Sequence, residues 1–311
     1  MKILLNRKPV RNQPWGGGAK FINTFVDIAT QSGHQVTHKL EDDIDTFFIF
    51  NAHKDYENVS IEQAITYKIN NKRAKILMRI NDCDKRKNTD YVDEMYKSYS
   101  FFADAAVFVS NWIYNYYSAK EAVDERWTSF DSEKWQCDKN YVILNGVDKN
   151  IFKRDIGFTE KIAIVCHHWS DNENKNNQLN EFLDRFVAQH SNDFCFTYIG
   201  RTQSKLQHSR IIEPLHGQAL GYELGRHSVY INNSHADPGP NSVTESIACG
   251  LPTYANVSGG GAAEFVGTDH TFRDFDELEK LLLSKKFVQN SFVPDTWETC
   301  ISKYLQVIES L

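Results

Sequence analysis

One segment of the sequence, residues 235–252, combines residue types that can bind a phosphorylated ligand. Pro240 suits the first turn of a helix, because the N–H group that proline lacks would have no partner there. The N–H groups of residues 241–243 would then point outward at the positive end of the helix dipole. Such a helix start is a ready site for an anion such as phosphate.

Two carboxylates accompany this helix start. Asp237 lies just before the turn, and Glu245 lies about one and a half turns inside the helix, toward the same opening. A carboxylate in such a position can accept hydrogen bonds from both hydroxyls of a ribose, as the acidic residue of a dinucleotide-binding fold does. The segment therefore predicts a nucleoside diphosphate site, although a glutamate on the exposed face of a helix is also common without one.

Other side chains that could do chemistry give weaker patterns. Asp43-Ile44-Asp45 and Asp82-Cys83-Asp84 each place two carboxylates at a spacing that can hold Mg²⁺ or Mn²⁺. The first string lies in an acidic turn and is expected to be a solvated loop. The second follows a predicted strand, so metal binding there stays an alternative. The 11 histidines show no metal-ligand spacing, and Cys249 is expected to be packed rather than nucleophilic.

Composition and charge exclude several classes of protein. The 311 residues are 41% hydrophobic and 24% charged, which is ordinary for a globular protein with a sizeable core. The net charge of −6 argues against a nucleic-acid-binding protein held by an overall positive field. No apolar run approaches the ~20 residues that span a bilayer, and the first residues lack a signal-peptide core. The 6 scattered cysteines favour reduced thiols and a cytoplasmic location.

The elements that must position these residues alternate between strands and helices. In the first half, short runs rich in β-branched or aromatic residues predict strands at 2–6, 46–50, 75–80 and 105–109. Apolar residues with the 3.6-residue period predict helices at about 19–32, 59–70, 89–102 and 111–122. This alternation implies a parallel sheet that is covered by helices on both faces.

The same alternation restarts after the turn-type cluster Asn145-Gly146-Val147-Asp148. Strands are predicted at 162–166, 194–199, 228–231 and 251–255, and helices at about 176–190, 217–225, 240–249 and 274–284. The sequence therefore predicts two doubly wound α/β lobes, residues 1–150 and 151–290. A last helix, within 291–311, is expected to pack back toward the first lobe.

Five stretches, in this order, resemble segments of one enzyme family. They are Pro14-Trp15-Gly16-Gly17-Gly18, Arg79-Ile80-Asn81-Asp82, Leu144-Asn145-Gly146-Val147-Asp148, Trp169-Ser170-Asp171-Asn172 with Lys175, and Asp237 and Glu245 followed by Ala248-Cys249-Gly250-Leu251-Pro252 and Ser258-Gly259-Gly260. Over nearly its whole length the chain is thereby similar to the retaining GT-B glycosyltransferases, and it most resembles glycosyltransferase family 4.

The resemblance implies a fold, a reaction and its partners. The fold would be GT-B, with two Rossmann-like lobes facing a central cleft. The second lobe would bind a nucleotide-diphospho-sugar, such as a UDP- or GDP-sugar, and the first lobe a glycan or other hydroxylated acceptor. The sugar would be transferred with retention of its anomeric configuration, without a metal or other cofactor.

The resemblance also assigns roles to residues. Glu245 would hold the donor ribose, Asp237 the sugar hydroxyls, and Lys175 would neutralise charge on the diphosphate. The backbone that surrounds the diphosphate would be that of six residues: Gly16, Gly17, Gly239, Pro240, Asn241 and Ser242.

Departures from the family pattern add further candidates. Asp237 is one methylene shorter than the usual glutamate, and Ser170 stands where many members carry an arginine. A phosphate-side cation would then come from another group, with candidates His167, His168 and Arg201. In the first lobe, family members often carry a histidine after a strand, and the corresponding string here is Met78-Arg79-Ile80-Asn81-Asp82, without a histidine. Asp82 or Arg79 is expected to face the cleft instead, with Asp82 as the catalytic candidate.

The expected mechanism follows from charge. Breaking the glycosidic bond puts negative charge on the leaving diphosphate, and each preorganised donor aimed at it is commonly worth ~3 kcal/mol. The helix start and Lys175 would do what a metal ion does in other transferases. By the resemblance, the departing phosphate oxygen would assist deprotonation of the acceptor on the same face of the sugar.

Several alternatives stay open. The departures at Asp237 and Ser170 would also fit a catalytically weak sugar-nucleotide or glycan-binding module, and a UDP-sugar epimerase can share the two-lobe fold. Residues 16–18 do not form the G-x-G-x-x-G fingerprint, which disfavours an NAD dehydrogenase. Two basic clusters, Lys72-Arg73-Lys75 and Lys85-Arg86-Lys87, are expected to be solvated, with an acceptor-side or membrane-surface patch as the alternative.

Overall fold

A computed structural model of the chain describes residues 1–11, 17–53, 58–118, 134–155, 160–170, 175, 177–232 and 234–311. The described residues form two compact units. The first unit contains those of Met1–Asn12, Gly18–Leu144 and Trp297–Leu311, and the second those of Gln13–Gly17 and Asn145–Thr296. Within the described ranges, every helix is too short or too polar to cross a membrane.

The first unit is built on a six-stranded parallel sheet. Its strands are β1 (Lys2–Leu5), β2 (Gln35–Thr37), β3 (Thr46–Ile49), β4 (Lys75–Ile80), β5 (Ala105–Phe108) and β6 (Asn140–Val142). They lie in the order β2-β1-β3-β4-β5-β6, so the direction of winding reverses between β1 and β3. The inner strands β3 to β5 are almost wholly buried, as expected for strands with helices on both faces.

Five helices of the first half pack beside this sheet. They are α1 (Gly17–Gln31), α2 (Ile61–Asn70), α3 (Asp84–Lys87), α4 (Val92–Ser100) and α5 (Asn111–Ser118). Helix α1 buries the predicted apolar stripe of Phe21, Ile22, Phe25 and Ala29, and the chain turns away from it at Gly33, whose φ is +85°. Helix α2 begins at a capping box in which Ser60 and Gln63 satisfy each other's backbone N–H groups.

The second unit repeats this plan with a second six-stranded parallel sheet. Its strands are β7 (Ile162–His168), β8 (Phe194–Gly200), β9 (Arg210–Ile212), β10 (Val229–Asn232), β11 (Thr253–Asn256) and β12 (Thr271–Phe272). Their order is β12-β11-β10-β7-β8-β9, and the winding reverses between β7 and β10. The helices are α6 (Asn177–Gln189), α7 (Gly217–Gly225), α8 (Asn241–Ala248), α9 (Gly261–Val266) and α10 (Phe275–Ser284).

The last helix, α11 (Trp297–Glu309), belongs to the first unit. Its stripe of Trp297, Ile301, Tyr304, Leu305 and Ile308 is buried in the same core cluster as the apolar face of α1. The Tyr304 ring lies 5.0 Å from that of Phe21 and 5.6 Å from that of Phe48. The chain therefore leaves the first unit after Leu144 and returns to it at Trp297.

The structure contains elements that the sequence analysis does not predict. Four are edge or near-edge strands of two or three residues, β2, β6, β9 and β12, and two are the short helices α3 and α9. An edge strand is half exposed, so it lacks the apolar run that marks an inner strand.

Candidate functional site

The candidate residues of the second unit gather at the carboxyl ends of β7 and β10. These neighbouring strands are where the winding of the sheet reverses, so the loops that follow them run in opposite directions. In open α/β sheets such a point leaves a crevice in which ligands bind. His167 and His168 end β7, while Asn232 ends β10 and leads to Asp237 and α8.

Lys175 and Asp237 form an ion pair at this edge. The Lys175 Nζ lies 2.5 Å from Asp237 Oδ2 and 3.5 Å from the hydroxyl of Ser234. Only 13% of the Lys175 side chain and 7% of the Asp237 side chain are exposed. Removing either member of such a buried ion pair destabilises the fold, because the other charge is left buried without compensation.

The loop that carries Asp237 is fixed against a glycine run. The Asp237 N–H donates to the Gly259 carbonyl at 3.1 Å, and its carbonyl accepts from the Gly261 N–H at 2.8 Å. A Cβ added at Gly261 would lie 2.3 Å from the Pro238 carbonyl oxygen, so only glycine permits this approach. The glycines of the predicted Ser258-Gly259-Gly260 stretch and Gly261 therefore place the Asp237 carboxylate.

Helix α8 starts at this edge, one residue later than the sequence predicts. Pro240 is the N-cap and Asn241 the first helical residue. The prediction that three N–H groups point outward is wrong at Val243, whose N–H donates to the Pro240 carbonyl at 3.2 Å, because the first turn tightens. The N–H groups of Asn241 and Ser242 have no acceptor among the described residues.

Amide side chains support the start of α8. Asn145 Nδ2 donates to the Gly239 carbonyl at 3.1 Å and to Asn241 Oδ1 at 2.9 Å, and the residue is buried. The Gly239 N–H donates to Asp237 Oδ1 at 3.4 Å. Asn145 belongs to a stretch that the sequence analysis names, but its part in holding this loop is found only in the structure.

Glu245 is buried and paired with His167. The Glu245 Oε2 lies 3.1 Å from His167 Nε2. The Tyr230 hydroxyl bonds to the backbone of His167, donating to its carbonyl at 3.2 Å, which holds the end of β7 in place. Both His167 and His168 are sequence candidates at this edge, and the side chain that contacts Glu245 is that of His167.

The alternation of side chains along β7 explains this choice. Val165 packs in the cluster beside α7 and α8, whereas Cys166 packs in the cluster beside α6. Successive strand residues point to opposite faces, so His167 shares a face with Val165, and His168 shares a face with Cys166. The face to which each histidine points can be predicted from the sequence by counting alternate residues along the strand.

His168 is buried on the other face of β7. Burial, reinforced by the charges of Lys175 and His167, holds the pKa of His168 well below its ordinary value, so the ring is neutral at neutral pH. Within the described part of the chain, its Nε2 has no hydrogen-bond partner. Gly200 of the neighbouring strand β8 lies against the His168 backbone, because a Cβ at this position would be 1.9 Å from the His168 carbonyl oxygen.

Arg201 follows β8 at the same edge and stacks on Trp169. Its guanidinium carbon lies 4.7 Å from the centre of the Trp169 ring, and 37% of the tryptophan is exposed. The stacking restrains an exposed cation beside the end of β7. Arg201 thus remains available to an anionic ligand.

A second polar cluster lies in the first unit, around Asp82. This buried carboxylate follows β4 and lies 2.5 Å from Lys87 Nζ, 3.3 Å from His53 Nε2 and 3.5 Å from Arg86 Nη1. Burial by itself raises the pKa of Asp82, but the hydrogen bond from His53 and the charges of Arg86 and Lys87 outweigh it and hold the pKa below its ordinary value. Asp82 is therefore an ionised carboxylate with two cationic side chains beside it.

The sequence analysis misses His53 and misplaces Arg79. His53 follows β3, which pairs directly with β4, so the carboxyl ends of the two strands bring it to Asp82. The expectation that Arg79 faces a cleft is wrong. Arg79 is buried, 4.5 Å from the Phe21 ring and 4.9 Å from the Phe50 ring, because its position in β4 points it toward α1.

The second aspartate of each Asp-x-Asp string has a structural role. Asp84 accepts hydrogen bonds from the Val92 N–H at 2.9 Å, the Asp93 N–H at 3.1 Å and the Thr89 hydroxyl at 2.6 Å, so it caps the start of α4. Asp45 accepts from the Lys2 N–H at 2.6 Å. In the described ranges, no group of three or more histidines, cysteines, aspartates or glutamates could hold a metal ion.

Some sequence candidates lie elsewhere. Gly16, together with Trp15, Asp171 and Asn172 of the quoted stretches, lies outside the described residues, while Gly17 is the exposed first residue of α1. Cys249 is fully buried, as predicted, and burial raises the pKa of its thiol to about 12. Such a protonated, enclosed thiol is inert as a nucleophile.

No family model and no curated protein sequence matches the chain. Solved structures do resemble it. Sucrose-phosphate synthase from Thermosynechococcus elongatus superposes with a TM-score of 0.68 at 11% identity, over 99% of this chain and 98% of that one. WaaG, a glycosyltransferase involved in lipopolysaccharide biosynthesis, gives 0.58 at 9% identity, over 98% and 95%. The catalytic domain of starch synthase IV from Arabidopsis thaliana, bound to ADP and acarbose, gives 0.54 at 12%, over 96% and 79%.

These similarities identify the fold. Two six-stranded parallel sheets with flanking helices, matched over nearly the whole chain, give it the GT-B fold that the resemblance implies. At identities of 9–12% the likeness concerns the fold, and activity must be argued from the residues.

Proposed function

We propose that this protein is a glycosyltransferase that moves a sugar from a nucleotide-diphospho-sugar to a hydroxyl acceptor. One observation carries the proposal. A lysine, two helix-start amides and a buried carboxylate converge where the second sheet reverses its winding, which is the set of groups that a nucleoside diphosphate needs. That the similar structures include a glycosyltransferase and a synthase bound to ADP supports the same activity.

In this proposal the second unit binds the donor. The N–H groups of Asn241 and Ser242 donate hydrogen bonds to the distal phosphate at the positive end of α8, and Lys175 neutralises diphosphate charge. Arg201, exposed beside Trp169, supplies the cation that is absent at Ser170. The neutral His168 ring can contribute a hydrogen bond but no charge.

Glu245 is proposed to hold the donor ribose. A carboxylate can accept hydrogen bonds from both ribose hydroxyls. The contact with His167 fixes the orientation of this carboxylate before the nucleotide arrives, and a preoriented group loses less freedom on binding. His167 therefore acts as a positioning residue.

Asp237 is proposed to bind the hydroxyls of the transferred sugar. Its side chain is one methylene shorter than the glutamate of the resembling family, and the glycine run places its backbone instead of leaving it to a flexible loop. In the free protein its carboxylate faces Lys175. A bound diphosphate would compete with Asp237 for the ammonium group and free carboxylate oxygens for the sugar.

The reaction then proceeds by charge stabilisation. As the glycosidic bond breaks, the diphosphate gains negative charge, and the α8 amides and Lys175 stabilise it without reorganising. These groups stand in for a divalent cation, so we propose a metal-independent reaction. Retention of the anomeric configuration, with the departing phosphate oxygen taking the acceptor proton, follows from the family resemblance.

The acceptor is proposed to bind the first unit, where Asp82 and His53 lie together. With its lowered pKa, Asp82 is a weak base, because a carboxylate that favours its charged form holds a proton poorly. Asp82 would therefore orient His53, and His53 would face the acceptor hydroxyl. The acceptor would be a glycan or another hydroxylated molecule. The 6 free cysteines fit a reducing, cytoplasmic compartment.

The test is a thermal-shift panel with UDP, GDP, ADP and their common sugars. One nucleoside diphosphate should raise Tm, and Glu245→Ala should weaken its binding by about 10- to 100-fold, since hydrogen bonds to a charged group are worth about 1.5–3 kcal/mol. The variant also loses the buried contact with His167, so its ligand-free Tm should fall, and binding is measured at a temperature at which the variant is folded. Glu213→Ala, at an exposed glutamate of the same unit, is the matched control and should bind normally. Unchanged binding by Glu245→Ala would refute the ribose assignment.

A turnover assay separates the alternatives. Release of the nucleoside diphosphate only when an acceptor is present supports a transferase. Binding without turnover would identify a sugar-nucleotide-binding module, and interconversion of the donor without acceptor would identify an epimerase. Activity should survive chelators; loss under chelation with recovery on adding Mn²⁺ would overturn metal independence.

A further inference from the structure

An exposed apolar depression lies between α2 and the end of α4 in the first unit. It has a volume of about 330 Å³ and is named here the α2–α4 patch, lined by Ile65, Lys68, Ile69, Lys72, Phe101 and Phe102. None of these residues takes part in the sites described above.

The apolar side chains of this patch face solvent. Exposure is 66% at Ile69, 64% at Phe101 and 37% at Phe102. The two phenylalanine rings lie edge to face with their centres 5.1 Å apart, which forms one continuous apolar surface. Single exposed apolar residues are ordinary, but a cluster of this kind rimmed by charged groups marks an interaction surface.

The charges around the α2–α4 patch are almost all positive. Residues 68–75 contain Lys68, Lys72, Arg73 and Lys75 and no acidic residue, in a chain whose net charge is −6. Lys72 and Arg73 are exposed at the rim. Asp104 neutralises only part of this charge, through Lys68 at 2.6 Å and Lys75 at 3.6 Å.

The second basic cluster of the sequence, Lys85-Arg86-Lys87, is different. Two of its three cations point to the buried Asp82 carboxylate. It also has no exposed apolar surface of its own, because its helix α3 is a single charged turn. Of the two clusters, the one at residues 72–75 therefore combines exposed positive charge, at Lys72 and Arg73, with exposed aromatic rings.

We propose that the α2–α4 patch docks the first unit on an anionic lipid surface. Phe101, Phe102 and Ile69 would enter the boundary between headgroups and acyl chains, while Lys72 and Arg73 at the rim extend their charged groups to the phosphates. Basic residues near such a surface strengthen binding by about fivefold each. An apolar centre with a basic rim matches both layers of the lipid boundary.

A second copy of this chain is a poorer occupant. A two-fold contact places the same patch on both subunits, so the lysine-rich rims would face each other and repel. Lipid docking is also independent of the proposed transfer reaction, because it needs no donor and no turnover. Failure of either one leaves the other standing.

The test is flotation of the full chain with vesicles of phosphatidylcholine alone or mixed with phosphatidylglycerol, at low and high salt. Wild type should float with the anionic vesicles at low salt only. Lys72→Gln/Arg73→Gln should lower partitioning about 25-fold, from two charges at about fivefold each. Ile69→Ser/Phe101→Ser should lower it at least as much by removing the inserted surface.

Matched controls lie in the second unit. Lys280→Gln changes an exposed charge, and Val293→Ser changes an apolar residue that is 73% exposed; both should float like wild type. All variants are surface changes, and an unchanged Tm checks their folding. Equal flotation with neutral and anionic vesicles, or variants that float like the controls, would overturn the proposal. So would concentration-dependent dimerisation that Ile69→Ser/Phe101→Ser abolishes, because it would identify a second copy as the occupant.

Discussion

The two sheets reverse their winding at equivalent places, but the two places are filled differently. In the first unit, between β1 and β3, the Asn6 side chain accepts from the Phe50 N–H at 2.8 Å and donates to the Asn51 carbonyl at 2.9 Å. In the second unit, between β7 and β10, the corresponding edge holds the pairs Lys175–Asp237 and His167–Glu245.

This difference shows how one topology can carry two roles. In the first unit, a neutral amide that bridges two strand ends satisfies the backbone groups that it contacts, and among the described residues of this edge it brings no charge. Buried charges beside helix-start amides without acceptors are instead a polar site that an anionic ligand can join. The contrast is a hypothesis about where the nucleotide binds, and four predictions test it.

The largest expected effect is on stability, from removing one carboxylate in each unit. Asp237→Ala leaves the Lys175 ammonium, whose side chain is 13% exposed, without its counter-charge and should lower the free energy of unfolding by about 3–5 kcal/mol. Asp82→Ala should cost less, about 1 kcal/mol, because Lys87 and Arg86 are 42% and 29% exposed and can turn to water. Urea unfolding measures both free energies, and equal losses would contradict the conclusion that the Lys175–Asp237 pair is the more strongly buried of the two.

Next in size is a pair of glycine substitutions. Gly261→Ala places a methyl group 2.3 Å from a backbone oxygen that cannot move aside, so it should cost about 2–3 kcal/mol and weaken nucleotide binding by displacing Asp237. Gly18→Ala in α1 meets only the rim of the Phe50 ring, at 3.3 Å. It also gains helix propensity, so its effect should stay within about 1 kcal/mol. Equal losses of stability in the two variants would contradict the inference that the backbone approach at Gly261 requires a glycine.

The third prediction concerns pH. The pKa of His168 is lowered by burial, so the unfolded chain binds a proton there below its ordinary pKa of 6.5 while the folded chain does not. The stability contribution is present above pH 6.5 and is lost as the pH falls, by about 1.4 kcal/mol per unit. His168→Gln should remove about that much of the stability difference between about pH 7.5 and about pH 5.5.

Asp82→Asn is the control for this measurement. The pKa of Asp82 is lowered from 3.8, so its contribution is present above the unfolded pKa and is lost only as the pH falls below it. The variant should therefore leave the change between about pH 7.5 and about pH 5.5 as in wild type. A wild-type pH dependence in His168→Gln would show that this ring is not kept neutral.

The smallest effect is expected at Trp169. Removing its ring releases Arg201 from a cation–π contact worth about 0.5–1 kcal/mol at an exposed site. Trp169→Ala should therefore weaken nucleoside diphosphate binding by about two- to fivefold, measured by calorimetric titration. Trp135→Phe, at a tryptophan that packs in the first unit, should bind like wild type. A loss as large as that of Glu245→Ala would mean that the ring contacts the ligand directly.

Much of the fold is readable from the sequence because the inner strands and the helices carry their own pattern. The β4 strand has the bounds that the sequence predicts, 75–80, and the α11 stripe is buried as its period predicts. Helix α9 is missed because its start, Gly261-Ala262-Ala263, has no apolar period to detect. The edge strands have too few residues to alternate visibly.

The sequence by itself determined the two α/β units, the helix start at residues 240–242, and Asp237 and Glu245 as candidates, because these depend on local residue types and spacing. Lys175 became a candidate through the family resemblance. Tertiary structure alone decided the partners. It brought Lys175 to Asp237, His167 rather than His168 to Glu245, and His53 to Asp82, and it buried Arg79. Such pairings depend on which strands are neighbours and which face a residue points to, and a one-residue change in strand parity reverses that face.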